Sequence, residues 1–365
     1  MTTAPTPAAT LSDREDITVA ELQLAARNHG MPLEALRYAV TPVGLHYLLI
    51  HYDIPPVPAD WSLTVGGRVS RELSLSLEAL RARPGVRAPV TMECAGNGRA
   101  RLAPRPISQP WLLEAVGTAE WGGIPLRALL EEAGVLDDAV EVLFTGADRG
   151  IEGGVEQRYE RSLTLADALR DDVLLAFEMN GGPLPPQHGA PLRLVAPGWY
   201  GMAHVKWLRA VTVIDTPFTG YQQDRSYRLR RAPEDEGEPV TRMAPRALMV
   251  PPGLADFASR ERTVELAPCL LEGRAWSGWG PIAAVRVSSD GGATWADAVV
   301  EDHPAASAWA RWTYRFAPPA PGDYVLCCRA RDACGNEQPV EAEWNLGGYA
   351  NNAVQRVAVT VRPPA

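Results

Sequence analysis

No Cys-x-x-Cys pair occurs in this chain, and its five cysteines, Cys94, Cys269, Cys327, Cys328 and Cys334, form no even framework. A structural zinc site, which needs about four protein ligands and usually two such pairs, is thereby excluded, as is a Cys-x-x-Cys-His haem attachment. The adjacent Cys327 and Cys328 would point to opposite faces of a strand, and the set as a whole suits a reduced compartment. Positive charge is also short. With 35 Lys and Arg against 44 Asp and Glu, the net charge is -9 and the pI near 5.3. Nucleic acid and an anionic membrane are excluded as main partners, because either needs a basic face. Met1 to Thr10 has no basic region, apolar core or twin arginine, so no export signal is read and a cytoplasmic location is expected, or a periplasmic one for a trimmed start.

What is present is enough apolar material for large cores. At 365 residues with 46% hydrophobic residues, two domains are expected. The first, 13–231, reads as a mixed α/β unit. Ile17 to Leu36 suggests one or two short helices, and Leu45 to Tyr52 a strand. Ser76 is placed to cap a helix from Leu77 to Arg83, Pro125 to open one that ends at Gly134, and Thr164 to start a third. Strands are expected at Ala139 to Thr145, Val173 to Phe177, Leu192 to Ala196 and Val205 to Ile214. After the charged, proline-bearing stretch Arg231 to Pro239 the pattern becomes strictly alternating. Val285 and Val287, then Trp312, Tyr314 and Phe316, then Val357, Val359 and Val361 imply an all-β sandwich over 240–365. The fold class expected is therefore α+β. Taken alone, the sandwich pattern fits a plain carbohydrate-binding or adhesion module equally well.

Cys94 carries the chemistry. It lies in Thr91-Met92-Glu93-Cys94-Ala95-Gly96-Asn97-Gly98-Arg99, and its soft sulfur suits a metal that favours sulfur. One thiolate alone points to a cofactor that brings its own remaining ligands. Ala95, Gly96 and Gly98 would leave room for a large group near the backbone, with Asn97 and Arg99 lining the same pocket. The competing reading is an ordinary buried thiol.

This segment resembles the sulfite oxidase family of molybdenum enzymes, where Cys-Ala-Gly-Asn-x-Arg supplies the one protein ligand to molybdenum. The likeness continues in order through Thr41 to Pro55, Glu178 to Gly181 with Pro183-Leu184-Pro185, His188-Gly189 to Arg193, and His204 to Leu208. It implies a molybdopterin-binding catalytic domain followed by an immunoglobulin-like dimerisation domain, whose hairpin is matched by Val287 to Trp295. It further implies molybdenum and molybdopterin as cofactors, with Cys94 on the metal. His188, Arg193 and Lys206 would hold the anionic end of the pterin, Asp148 would accept hydrogen bonds from its ring, and Tyr47, His51 and His204 would be further contacts. At the substrate end it implies Arg99 as a pocket cation, Trp111 as an aromatic wall and Tyr227 as the hydrogen-bonding tyrosine, with Tyr221 the alternative.

Two departures stand at that end. Leu49 and Gly347 occupy positions where the resemblance implies arginine. Each loss removes a charge-assisted contact of about 1.5 to 3 kcal/mol, which points away from sulfite itself as the natural substrate. The string Arg27-Asn28-His29-Gly30 reads as a polar helix end stopped by Gly30, and Arg225 and Arg228 as the compensating cations. The expected activity is two-electron oxo transfer on a small oxyanion, with electrons passed to an external acceptor. Reductive oxo transfer toward a sulfoxide or nitrate, or a cofactor-free binding protein on the same fold, are the alternatives.

Overall fold

The computed structural model describes residues 11–12 and 16–364 of the chain. Helix Val19–Ala25 starts at Thr18, whose hydroxyl accepts from the Glu21 N–H while the Glu21 carboxylate accepts from the Thr18 N–H, a reciprocal capping box. The same carboxylate, fully buried, takes two hydrogen bonds of 2.9 Å from Arg105, so the helix is pinned to the segment that follows Cys94. Leu77–Arg81, Leu126–Ala133 and Leu165–Ala168 are the other helices. Ser76 and Thr164 cap two of them through side-chain oxygens, and Gly134 ends the third at φ +69°. Among the described residues no helix is long and apolar enough to cross a membrane.

Two five-stranded sheets build the N-terminal half. One runs Leu73–Ser76, Ser62–Gly67, Leu208–Ile214, Glu141–Glu152 and Val155–Thr164, antiparallel except for the parallel pair Ser62–Gly67 and Leu208–Ile214. The other orders Gly182–Pro183, Leu174–Met179, Val116–Pro125 and Val86–Glu93, with Arg193–Val195 also on Leu174–Met179. Strand Val116–Pro125 is buried almost throughout, so it lacks the alternation that reveals a half-exposed strand. The segment Leu45 to Tyr52, expected as a strand, is instead a 3-10 turn, Val43–Leu45, followed by irregular chain. Its backbone is used locally: Leu48 pairs with His29 in a single antiparallel bridge.

Beyond the hairpin of Arg228–Leu229 with Glu238–Pro239, a four-stranded and a six-stranded sheet face each other. Val285, Val287, Trp312, Phe316, Val357, Val359 and Val361 meet between them, the inward positions of the alternating runs. The two halves also share a core: Trp276 and Trp309 of the sandwich pack with Leu36, Tyr200 and Met202 of the first half.

Contacts from the sandwich converge on the turn after Val86–Glu93. Glu93, 1% exposed, accepts from Arg246 at 2.5 Å and Asn97 at 3.0 Å on one oxygen and from the Trp276 indole at 2.9 Å on the other. The Ala350 N–H donates to the Ala95 carbonyl at 2.7 Å, and the Asn351 amide to the Gly98 carbonyl at 2.8 Å. Arg99 returns a bond to the Gly347 carbonyl at 2.8 Å. Replacing Arg246 with Met strands a buried carboxylate, so Arg246→Met is expected to cost about 3–5 kcal/mol in urea denaturation. Pairing it with Glu93→Leu should recover most of that loss, which a pure packing defect would not allow.

Candidate active site

Two cavities meet at Cys94. The inner one is lined by His46, Tyr47, Met92, Asp148, His188, Arg193, His204 and Lys206 among others. The outer one is lined by Leu24, Arg27, Asn28, Arg99, Gln109, Trp111, Glu152 and Tyr349 among others. Leu49, His51, Cys94 and Tyr227 border both. Cys94 is a buried free thiol.

Local backbone features aim these side chains. Cys94 ends a buried strand, and its N–H is held by the Ala115 carbonyl at 2.9 Å. Asp148 sits where the ladder between Glu141–Glu152 and Val155–Thr164 slips between Thr145 and Arg149, a bulge that turns a strand residue inward. A Cβ at Gly146 would lie 2.4 Å from the Asp148 carboxylate. Tyr47 depends on Gly201 in the same way, its hydroxyl 2.4 Å from where a Cβ would be. The glycines of the Cys94 turn serve the protein itself. The space over Gly96 is filled by the Arg99 guanidinium, and Gly98, at φ +92°, faces Asn351. The expectation that they open the backbone to a bound group is therefore corrected. So is the placement of Asn97, whose amide is spent on Glu93, Leu113 and Ala115.

Of the expected site residues, Tyr47, His51, Cys94, Asp148, His188, Arg193, His204, Lys206 and Tyr227 line the inner cavity, and Arg99 and Trp111 the outer. Tyr227, at φ +50°, donates or accepts at 2.8 Å with His51 Nε2; Tyr221 borders neither cavity. His204 differs from its expected role. Its Nδ1 accepts from the Ala196 N–H at 3.2 Å and its Nε2 lies 3.1 Å from the Trp199 carbonyl, so both nitrogens hold the loop and none is left for a ligand. Arg225 and Arg228, expected to compensate for missing cations, line neither cavity, and Arg228 binds the carbonyls of Glu236 and Gly237. Arg27 is the cation found there. The helix stops at Ala25 and not at Gly30, and the His29–Leu48 bridge lays Arg27 beside the site with its guanidinium 3.2 Å from the His51 carbonyl. Gly347 cannot carry a side chain outward, since a Cβ would meet the Tyr349 ring at 2.3 Å. Arg99 stacks over that ring at 5.1 Å.

His46 and Tyr349 were not singled out in the sequence, although both lie within or beside matched segments. Lys206 carried a further signal: it is the chain's one lysine, every other basic residue being arginine. Its ammonium binds the Leu49 and Gln187 carbonyls at 2.7 and 3.3 Å. Burial and then Arg193 push its pKa down to about 7, with Asp148 opposing. Burial pushes Asp148 up to about 7, with Lys206 and Arg158 opposing. Burial raises the Cys94 thiol, while Arg99, the Gly96 N–H and Trp111 hold it down.

Two buried polar atoms on residues that line the inner cavity have no partner: Asp148 Oδ1 and Arg193 Nε. Such atoms are rarely left bare. They form donor and acceptor positions for a large heteroatom-rich ring, with Arg193 and Lys206 available to an anionic tail and Cys94 to a soft metal. Among the described residues no group of three His, Cys, Asp or Glu is placed to hold a metal ion, so a metal at Cys94 takes its other ligands from what it arrives with.

The family models described as "Oxidoreductase molybdopterin binding domain" and "Mo-co oxidoreductase dimerisation domain" match residues 51–222 and 257–362. Sulfite oxidase of Gallus gallus is 37% identical over 350 residues, covering 87% of this chain and 72% of that protein. This chain belongs to the sulfite oxidase-type molybdopterin oxidoreductase family. The mitochondrial sulfite oxidase of Rattus norvegicus is 36% identical over 341 residues, 89% of this chain, which spans 62% of that protein's length. The sulfane dehydrogenase SoxCD from Paracoccus pantotrophus superposes with a TM-score of 0.79 at 26% identity, over 92% of this chain and 86% of that one. Mo-molybdopterin is the cofactor of this oxidoreductase family, and the unpartnered atoms, the cations and the lone thiol fit it.

Burial lowers the pKa of His46 to about 4, His204 to about 3 and His188 to about 2. The unfolded chain takes up protons at these rings near pH 6.5, and the folded chain only well below it. Stability is therefore complete above pH 6.5 and is lost as pH falls through that window. Cofactor-free protein should lose about 1–2 kcal/mol per ring between pH 6.5 and 5 in denaturant titrations, with the three rings still neutral by NMR at pH 5.

Proposed function

We propose that this chain catalyses oxo transfer at the sulfur of a small oxyanion, in the oxidative direction, and passes two electrons to an external acceptor. The observation that carries the reading is a free, buried thiol at the junction of two cavities, one bordered by Asp148, His188, Arg193 and Lys206 and the other by Arg27, Arg99 and Trp111. Cys94 would bind molybdenum, with the pterin in the inner cavity and the substrate in the outer. The bound molybdenum centre supplies the oxygen transfer and the redox step, and the protein supplies position and electrostatics.

Tyr47 and Asp148 are the groups available to the pterin ring, and His188, Arg193 and Lys206 to its phosphate. A bound phosphate would favour the charged form of Lys206 by Coulomb attraction. Tyr227 is pushed well above the usual tyrosine range by burial, so its hydroxyl stays protonated and can donate at the junction, oriented by His51. Trp111, 5% exposed, and Leu49 keep bulk water from the sulfur. A second copy of the chain, joined through the β-sandwich, is the partner supported by the dimerisation-domain match.

Protein produced with molybdate should hold about one molybdenum per chain by elemental analysis, and Cys94→Ser should lower turnover more than about 100-fold while the fold persists. Protein that stays free of molybdenum and pterin under those conditions would refute the proposal. Gly201→Ala is expected to displace Tyr47 and reduce pterin content with little change in the circular dichroism spectrum. Light scattering should return the mass of a dimer.

A further inference from the structure

We infer that the outer cavity is built for organic sulfinates, R–SO2⁻ with an apolar R group, and that Arg27 recognises the oxyanion. The inference rests on the oxo-transfer reading above and names its substrate class. Three observations support it. The outer cavity has room for a group larger than sulfite. Its wall is apolar where the resemblance implies a cation, with Leu49 beside Ile50 and Leu24. Ile151, also on the lining, is 73% exposed, an uncovered apolar surface at the mouth.

Charge selects between candidate anions. Arg99 is committed to the carbonyls of Gly347 and Gln109 and to the Tyr349 ring. Arg27 makes one bond of 3.2 Å to the His51 carbonyl and keeps further donors. Glu152 also borders the cavity, its carboxylate bound by the Gln222 amide at 2.8 Å. One available guanidinium opposed by a carboxylate suits a singly charged head group better than sulfite, which carries between one and two charges near neutrality. An apolar substituent lying on Leu24, Ile50 and Ile151 would add about fourfold in affinity for each methylene covered.

The reaction balances as R–SO2⁻ + H2O → R–SO3⁻ + 2 H⁺ + 2 e⁻. Sulfur gains one S–O bond, water gives up both O–H bonds, and the electrons reduce two equivalents of a one-electron acceptor, ferricyanide in the assay.

The test uses molybdenum-loaded protein with benzenesulfinate, methanesulfinate and sulfite. We expect kcat/KM to favour benzenesulfinate over sulfite by about tenfold or more, with methanesulfinate between. Benzenesulfonate, the product, should bind in calorimetry, and Arg27→Ala should weaken that binding about tenfold. Leu49→Arg should move the preference toward sulfite. Turnover of sulfite without turnover of either sulfinate, or sulfonate binding that ignores Arg27→Ala, would overturn the inference and leave the oxo-transfer reading standing. Loaded protein that oxidises none of the three would sink both.

Discussion

The buried carboxylate of Glu93 is the point on which the site turns. It lies one residue before Cys94, and it joins a near partner to two distant ones: Asn97 from the same turn, Arg246 and Trp276 from the sandwich. The arginine is itself 1% exposed and leaves Nε and one terminal nitrogen without a partner. Such a pair is held at considerable desolvation cost, so its effect lies in geometry more than in net stability. With the backbone bonds from Ala350 to Ala95 and from Asn351 to Gly98, it fixes the direction in which the Cys94 sulfur points. The sandwich is thus a structural part of the half that carries Cys94.

Around that fixed sulfur the chain divides its chemistry between two spaces. The inner cavity collects unpartnered nitrogen and oxygen atoms, neutral histidines and two cations, an arrangement suited to a polar ring with an anionic tail. The outer cavity is mixed: aliphatic side chains, a stacked arginine, a second arginine brought in by the N-terminal segment, and an indole ring. Tyr349 links these features. Its ring occupies the space next to Gly347, supports the Arg99 guanidinium and lies 5.0 Å from Tyr227.

The inner cavity was largely readable from the sequence because its residues sit in short motifs whose chemistry is local. Cys94, Asp148, His188, Arg193 and Lys206 all reach one space. His204 shows the limit of such reading: a motif names the residue, but only its partners show that both nitrogens are taken. The outer cavity was much less readable. Arg27 is separated from Cys94 by 67 positions in the chain, and a polar residue after a short helix looks like solvent-facing surface until the His29–Leu48 bridge sets it beside His51. Arg225 and Arg228 were closer to Tyr227 in sequence, yet their backbone turns away. Strand Val116–Pro125 escaped periodic reading because both its faces are buried.

The sequence by itself determined the family, the lone cysteine in its glycine-bearing turn, and the alternating strands of the sandwich, since these depend on residue type and spacing within a few positions. The tertiary structure decided which cations face the open side of Cys94, which glycines serve packing instead of a ligand, and how the second half of the chain holds the first. Those outcomes depend on which segments are brought into contact, from Arg27 on His51 to Asn351 on Gly98, where direction and distance are set by the packing of whole elements.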